Sequence, residues 1–434
     1  MATVETQKVM PLRGIFPWKF DAAWGQIKDY GPTFLAEFAA LASQIVAYKL
    51  AAHYLGKQGF SEYAVARRAI SMIYPVGLLG MATALPRYIA ISAHENDAGL
   101  RGRFFGATLW CVGISVLLIV GLLNLFPLKF TYLIYGNNSY RSLAFPISTI
   151  IAGLSLHALA YGYFRGHLQM ARANVLQFIN FGVVPLVVFL WISRSVGRVL
   201  EEIGLLSIAV SVVGLLFTPW RQAASNCVAE VKVLLRYGIP RVPGDFALMA
   251  LLGLTSFLIA HRVGVLEGGY VAFAISVLVM IGAAFAPAGL VLLPKASNLI
   301  ARGAHEELAR HNSLIFKLTL FISAFLTILL EVFAGPLLRV YLGRDFVGVA
   351  MVFRIVVLGT VPYAVYSALR CVVDAKFTRA VNTINSLIAL ALLVASSALL
   401  FAIHDASVLH LILPLPLSLL VLGILTWRQA SKAV

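Results

Sequence analysis

Four ionisable residues recur in this chain at one helical depth. Glu37 stands five positions after the proline of Tyr30-Gly31-Pro32, and Asp245 stands five after the proline of Tyr237-Gly238-Ile239-Pro240. Leu85-Pro86-Arg87 is matched in the same way by Leu293-Pro294-Lys295. Both pairs are 208 positions apart. At 1.5 Å per residue each carboxylate lies about 7–8 Å along a helix from its proline, near a membrane surface and not at the midplane. Charges of opposite sign at one depth can pair across two facing halves. One reading makes Glu37, Asp245, Arg87 and Lys295 a cytoplasmic gate of salt bridges that form when the protein opens outward. The other makes them helix-end electrostatics, with carboxylates near N-termini and cations near C-termini.

A second layer is cationic and lies nearer the other surface: Lys49, Arg67, Arg68, His261, Arg262 and Arg354. A charge inside a span costs a few kcal/mol and demands a partner or a wet lumen. Guanidinium forks suit phosphate oxygens, so a cation-lined cavity would draw an anion. Snorkelling to headgroups is the competing reading for each residue. Adjacent helical residues point about 100° apart, so Arg67 and Arg68 cannot both face one lumen. Arg241, in Ile239-Pro240-Arg241, is a further substrate candidate at the inner mouth, and Gln44 is the mid-depth polar candidate. His157, Gln177 and Asn180 read as interhelical hydrogen bonders. No phosphate loop, metal pair or nucleophile elbow is present, so catalysis has no support.

The elements that position these residues follow from composition. Sixty per cent of the 434 residues are hydrophobic and 12% charged, and the mean hydropathy is +0.89. A soluble domain does not look like this. Apolar stretches of spanning length recur throughout, giving about twelve transmembrane helices. Their length and lack of alternation exclude a β-barrel. The net charge of +16 is distributed as a topology signal and does not call for nucleic acid. With the N-terminus inside, about eighteen Lys and Arg fall in inside segments and about eight in outside ones, which places both termini in the cytoplasm. The three cysteines, Cys111, Cys227 and Cys371, have no redox or metal spacing.

The repeat divides the chain. We expect an N-terminal cytoplasmic or interfacial segment over 1–31, with Trp18 and Trp24 among basic residues across 11–29. An N-lobe over 32–218 (spans 1–6), a cytoplasmic linker over 219–237, a C-lobe over 238–427 (spans 7–12) and a tail over 428–434 follow. Two halves of even span number share one orientation and leave a substrate path between them. Pro75 with Gly77 in span 2, and Gly282 with Pro287 in span 8, predict kinks there. Arg67 and Arg68 fall opposite Ala272 and Phe273 in the repeat, so the outer cations are not duplicated.

Several segments carry a resemblance. Gly59-Phe60-Ser61-Glu62-Tyr63-Ala64-Val65-Ala66-Arg67-Arg68 and Gly80-Met81-Ala82-Thr83-Ala84-Leu85-Pro86-Arg87-Tyr88 resemble the second-span region of bacterial Wzx-type polysaccharide flippases. Tyr163-Phe164-Arg165-Gly166-His167-Leu168-Gln169-Met170-Ala171-Arg172 and Arg236-Tyr237-Gly238-Ile239-Pro240 resemble the turn after their fourth span and the start of their seventh. These motifs specify the superfamily of multidrug, oligosaccharidyl-lipid and polysaccharide exporters better than a substrate. The resemblance implies an all-α, MATE-like polytopic fold of two six-helix lobes around a central cavity in the bacterial cytoplasmic (inner) membrane. It implies an undecaprenyl-pyrophosphate-linked oligosaccharide as substrate, with membrane lipids and the polysaccharide polymerase and export machinery as partners. No cofactor is implied, and coupling to protons, sodium or the membrane potential is left open. A multidrug cation antiporter of the same fold is the nearest rival. A membrane enzyme or structural component of polysaccharide assembly is the alternative from another class.

Overall fold

The computed structural model describes residues 20–432 except 95–96, 193–194, 221–226, 302–303, 347, 378–379 and 403–406. Side chains are described except at 20–30, 32, 34, 94, 192, 286–301, 305 and 401. Within these residues the chain is helical from end to end. The first half contains α1 (Phe20–Gly77), α2 (Met81–His94), α3 (Ala98–Leu125), the short α4 (Pro127–Tyr135), α5 (Ala144–Gly166), α6 (Met170–Phe178), α7 (Val184–Val187) and α8 (Val196–Leu216). A linker helix α9 (Val228–Gly238) leads into α10 (Val242–Arg262), α11 (Val265–Ala301), α12 (His305–Tyr341) and α13 (Val349–Val357). The last elements are α14 (Thr360–Lys376), α15 (Val381–Ala402), α16 (Val408–Ile412) and α17 (Pro414–Ser431).

Among the described residues ten helices are long and apolar enough to cross a membrane, or up to eleven if α13 and α14, bent by 42°, form one span. The expected twelve differs because spans 1 and 2 run together in α1. That element spans 58 residues, roughly 87 Å at helical rise, far beyond a 30 Å core. Gly56, with φ 65°, breaks it, a left-handed conformation that costs glycine least. Tyr48 consequently packs back on Phe60 and Tyr63, with ring centroids 6.1 and 5.9 Å apart. α1 is therefore two antiparallel spans.

The expected kinks lie elsewhere. Pro75 and Gly77 stay within α1, and the chain breaks just after them, where Leu79 and Gly80 take φ of 51° and 74°. Gly282 sits within the continuous α11 as a notch: a Cβ there would lie 2.3 Å from a ring carbon of Tyr363. Pro287 lies outside the described side chains, as does Lys295. Of the expected interfacial segment, residues 20–29 continue α1, and the remainder lies outside the described residues.

Two ends of the bundle differ. We term proximal the end where residues 31–37 and 238–245 begin their spans, and distal the end near Gly56 and Val263. The largest core cluster joins both halves toward the distal end: Tyr48, Phe60 and Tyr63 of α1 pack with Phe273 of α11 and with Phe346 and Phe353. The Phe60–Phe273 and Phe60–Phe346 centroids are 5.4 and 5.2 Å apart, contacts worth about 0.5–1.5 kcal/mol each beyond area burial. Toward the proximal end the halves keep separate cores, one around Leu85, Phe105 and Phe164 and another around Leu369, Val372 and Val373. Among the described residues the two halves therefore share a core distally and keep separate cores proximally, where the backbones of Gly80 and Gly238 still touch.

The seal lies on the repeat's own axis. Ser61 Oγ donates to the Leu266 carbonyl at 3.0 Å, 205 positions away. Arg68 Nη2 donates to Ser276 Oγ at 2.8 Å, 208 positions away. The first separation is the local offset of the sequence repeat, while Arg68 bonds three positions beyond its counterpart Phe273, so spans 2 and 8 meet along their length. A Cβ on Gly269 would lie 2.2 Å from Ser61 Cα, so the two backbones touch there. Small residues that let backbones touch are a main means of helix association in lipid.

Candidate functional site

The cavity at the head of the divide is built around a missing hydrogen bond. After Phe178 the α6 helix widens into a π-helical turn over Ile179–Val183, then reaches Pro185 in α7. Proline has no N–H to give to the carbonyl four residues back, that of Phe181. Gln44 of α1 supplies the donor, its Nε2 lying 2.5 Å from Phe181 O. Gln44 Oε1 is buried and has no partner, and neither has Oδ1 of Asn180. Two unmet acceptors thus stand beside an open cavity of about 340 Å³, whose walls include Gln44, Tyr63, Arg67, Asn180, Ser207 and Met249.

Arg67 and Arg68 divide as helical geometry requires. Arg67 lines this cavity, its guanidinium carbon 5.5 and 5.8 Å from the ring centroids of Tyr48 and Tyr63, and it donates to Tyr63 Oη at 3.2 Å. Arg68 turns into the seam between the halves, buried against Ser276, whose Oγ is 2.7 Å from Tyr48 Oη. Its Nε has no partner. Tyr48 and Tyr63 flank Arg67, Ser276 binds Arg68, and neither arginine has a carboxylate within 4 Å among the described residues. Among the described residues the ion pairs within 4 Å are Arg103–Glu230 at 2.7 Å and Arg354–Glu331 at 3.9 Å. Two cations therefore stand unneutralised at depth, an arrangement that attracts an anion.

Tyr48 also forms the wall of a second space. An apolar groove of about 510 Å³ runs between α1, α11 and α12, lined by Phe38, Ile45, Tyr48, Phe273, Met280 and Leu330 among others. Tyr341 Oη donates to the Ile45 carbonyl across it. One tyrosine thus carries Arg67 over its ring and an apolar groove along its edge.

The remaining sequence candidates are dispersed. Lys49 is exposed and does not line the cavity. Arg354 is half-exposed on α13 beside Glu331 of α12, away from the cavity. Glu37 faces into the N-lobe: Tyr161 Oη and Gln177 Nε2 each approach its carboxylate at 3.5 Å. From Gln177 the polar chain continues to His157 at 3.0 Å, to Asn180 at 3.0 Å and to Ser211 at 3.2 Å. The mid-span polar groups read as interhelical hydrogen bonders thus form one network ending at the cavity wall.

Of the cross-half salt bridges expected at the proximal mouth, the Arg87–Asp245 pair is not formed among the described residues, and Lys295 lies outside the described side chains. Arg87 lies over the ring of Tyr237 at 4.9 Å and donates to its hydroxyl at 3.2 Å. Arg241 covers the same ring at 3.7 Å and donates to the Tyr237 carbonyl at 2.5 Å. The Tyr237 ring thus lies in reach of two guanidiniums at the joint between α9 and α10. Asp245 instead senses Arg370, Arg241 and Asp374 of its own half.

Sequence reasoning missed Arg370, Asp374 and Asn382. Asn382 Nδ2 donates to Asp374 Oδ1 at 2.7 Å and to the Arg370 carbonyl at 2.8 Å. Their signal was available: Tyr363, Tyr366, Arg370 and Asp374 follow one another at three or four residues, one stripe of a helix.

No protein-family model matches the chain, and no curated protein matches it. Solved structures do. An inward-facing multidrug resistance MATE-family transporter of the MOP superfamily superposes with a TM-score of 0.72 at 13% identity, covering 90% of this chain and 93% of that one. The lipid II flippase MurJ in its inward closed conformation gives 0.69 at 15% identity, covering 94% and 88%. The eukaryotic MATE transporter AtDTX14 gives 0.68 at 15% identity, covering 94% and 98%. These neighbours are transporters and a flippase, not enzymes, and the chain has the fold they share.

Proposed function

We propose that this protein is an alternating-access flippase that carries an undecaprenyl-pyrophosphate-linked oligosaccharide across the bacterial cytoplasmic membrane. One observation carries the reading: the unneutralised Arg67 and Arg68 adjoin an apolar groove through Tyr48. A substrate with a diphosphate at one point and a hydrocarbon tail beside it matches that pairing. The diphosphate would meet the Arg67 guanidinium, with the charge of Arg68 adding to the field from the seam; the tail would follow the groove, and the glycan would occupy the wet divide. On the positive-inside reading the proximal end is cytoplasmic, so this conformation accepts substrate from the side of synthesis. Outward movement of an anion gains about 2.3 kcal/mol per charge per 100 mV, inside negative.

The Glu37 network favours the rival, a multidrug cation antiporter, because a carboxylate in a polar chain can hold a cation or proton. The cavity beyond it is lined by an arginine, which repels cationic drugs. Reconstitution into liposomes separates the two. A fluorescent undecaprenyl-pyrophosphate-linked saccharide should become accessible to a membrane-impermeant quencher only when protein is present. Proton-driven uptake of a cationic dye with no scrambling or flipping of the lipid would refute the flippase reading.

A further inference from the structure

The C-terminal half holds a second guanidinium that faces open space. Arg370 of α14 is exposed, as are Asp374 on the same helix and Asp245 on α10. Arg370 senses both carboxylates electrostatically, together with Tyr366 and Tyr363. It is nevertheless not within 4 Å of either carboxylate, since neither appears among the ion pairs of the described residues. The carboxylates are held separately, Asp374 by Asn382. Arg241 completes the group, four residues before Asp245 in the chain and within electrostatic reach of Asp374. The result is a cluster of two arginines and two aspartates, net neutral, in which one guanidinium fork remains open.

This cluster lies between the mouth and the deep cations. Asp245 is about 7–8 Å from the proximal start of its helix, and Arg370 about 9 Å from the end of α14 at Lys376, at 1.5 Å per residue. Along α14 the stripe continues from Arg370 to Tyr366, whose ring centroid is 5.9 Å away, and then to Tyr363, 6.1 Å from Tyr366. Tyr363 in turn is an electrostatic neighbour of Arg68. An anion entering proximally would therefore meet a neutralised arginine first and the two unneutralised ones afterwards.

We propose that Arg370 is a weak transit site for the lipid-borne diphosphate, held weak by Asp245 and Asp374 so that the anion passes on to Arg67 and Arg68. The proposal rests on the flippase reading above. A guanidinium free of direct ion pairs can take a phosphate bidentately, and the nearby carboxylates repel that phosphate. Affinity thus rises with depth, which is what forward transit requires.

The test uses the full chain in nanodiscs, with farnesyl diphosphate as the lipid-borne probe and inorganic pyrophosphate as the free one. Wild type should bind farnesyl diphosphate in a tight and a weak phase. Arg67→Ala with Arg68→Ala should remove the tight phase, and Arg370→Ala the weak one. Asp374→Asn should tighten the weak phase about tenfold by removing one unit of repulsion, and should do nothing once Arg370→Ala is present. Arg370→Lys, which keeps charge but not the fork, should retain part of the weak phase, and thermal unfolding confirms that each variant folds. A weak phase that survives Arg370→Ala, or that Asp374→Asn leaves unchanged, overturns the transit site alone. Absence of any farnesyl diphosphate binding by wild type overturns both readings. Equal binding of inorganic pyrophosphate overturns the lipid-borne assignment.

Discussion

Gly269→Ala tests whether the distal seal holds this conformation. The new Cβ would lie 2.2 Å from both Cα and Cβ of Ser61 and 2.6 Å from its Oγ. Carbon atoms in ordinary contact sit about 3.5–4.0 Å apart, so α11 and the second arm of α1 must separate by more than about 1 Å. The obstruction is backbone and cannot rotate away. Overpacking of this kind costs about 1–3 kcal/mol, and the 3.0 Å bond from Ser61 to Leu266 is lost with it. If the distal-open state lacks this contact, the whole cost falls on the distal-closed state. The ratio of the two states then shifts by about 5- to 150-fold. Spin labels at Asn138 and Arg344, both exposed, would report the distal separation by double electron–electron resonance in a background without the three native cysteines. The longer-distance population should grow. Gly204→Ala is the control, because its Cβ would lie 2.3 Å from Thr149 Oγ1 within the N-terminal half. That variant should lower the unfolding temperature and leave the distal distances in place. An unchanged distance distribution in Gly269→Ala, with an unchanged unfolding temperature, would refute the reasoning.

Three further outcomes are expected. Loss of Arg67 should weaken farnesyl diphosphate binding by roughly 10- to 100-fold, the value of a charge-assisted hydrogen bond, as read by titration in nanodiscs, and loss of Arg68, which acts from the seam, should weaken it less. Gln44→Leu removes the donor that serves Phe181 O opposite Pro185 and should cost about 1–3 kcal/mol, seen as a lower unfolding temperature. Glu230→Gln weakens the 2.7 Å pair to Arg103 that docks α9 on α3. It should speed protease cleavage in the linker while changing global stability by less than about 1 kcal/mol.

Much of the architecture was legible because its causes are local. Runs of apolar residues report burial in lipid whatever their neighbours, and the repeat sets spans 2 and 8 in corresponding places; that they meet through Ser61–Leu266 and Arg68–Ser276 is a finding of the structure. The helix break falls a few residues beyond the proline for an equally local reason. Proline marks where a hydrogen bond is missing, but at Pro75 the helix continues, and the turn waits for the left-handed Leu79–Gly80 pair. Arg370 and Asp374 escaped notice because charges near a helix end read as ordinary loop-flanking residues until Asn382 of the next helix is seen to bind both.

The sequence by itself determined that this is a polytopic helical membrane protein built on a repeat, and the depth of each charge along its helix. Both follow from hydropathy and a fixed rise per residue, which need no partner. Only the tertiary structure decided direction: that Arg67 enters the cavity while Arg68 enters the seam, that Arg87 meets Tyr237 and not Asp245, and that Glu37 ends a polar chain. Direction depends on how each helix is rotated about its own axis. That rotation is set by packing against helices more than a hundred residues away in the chain.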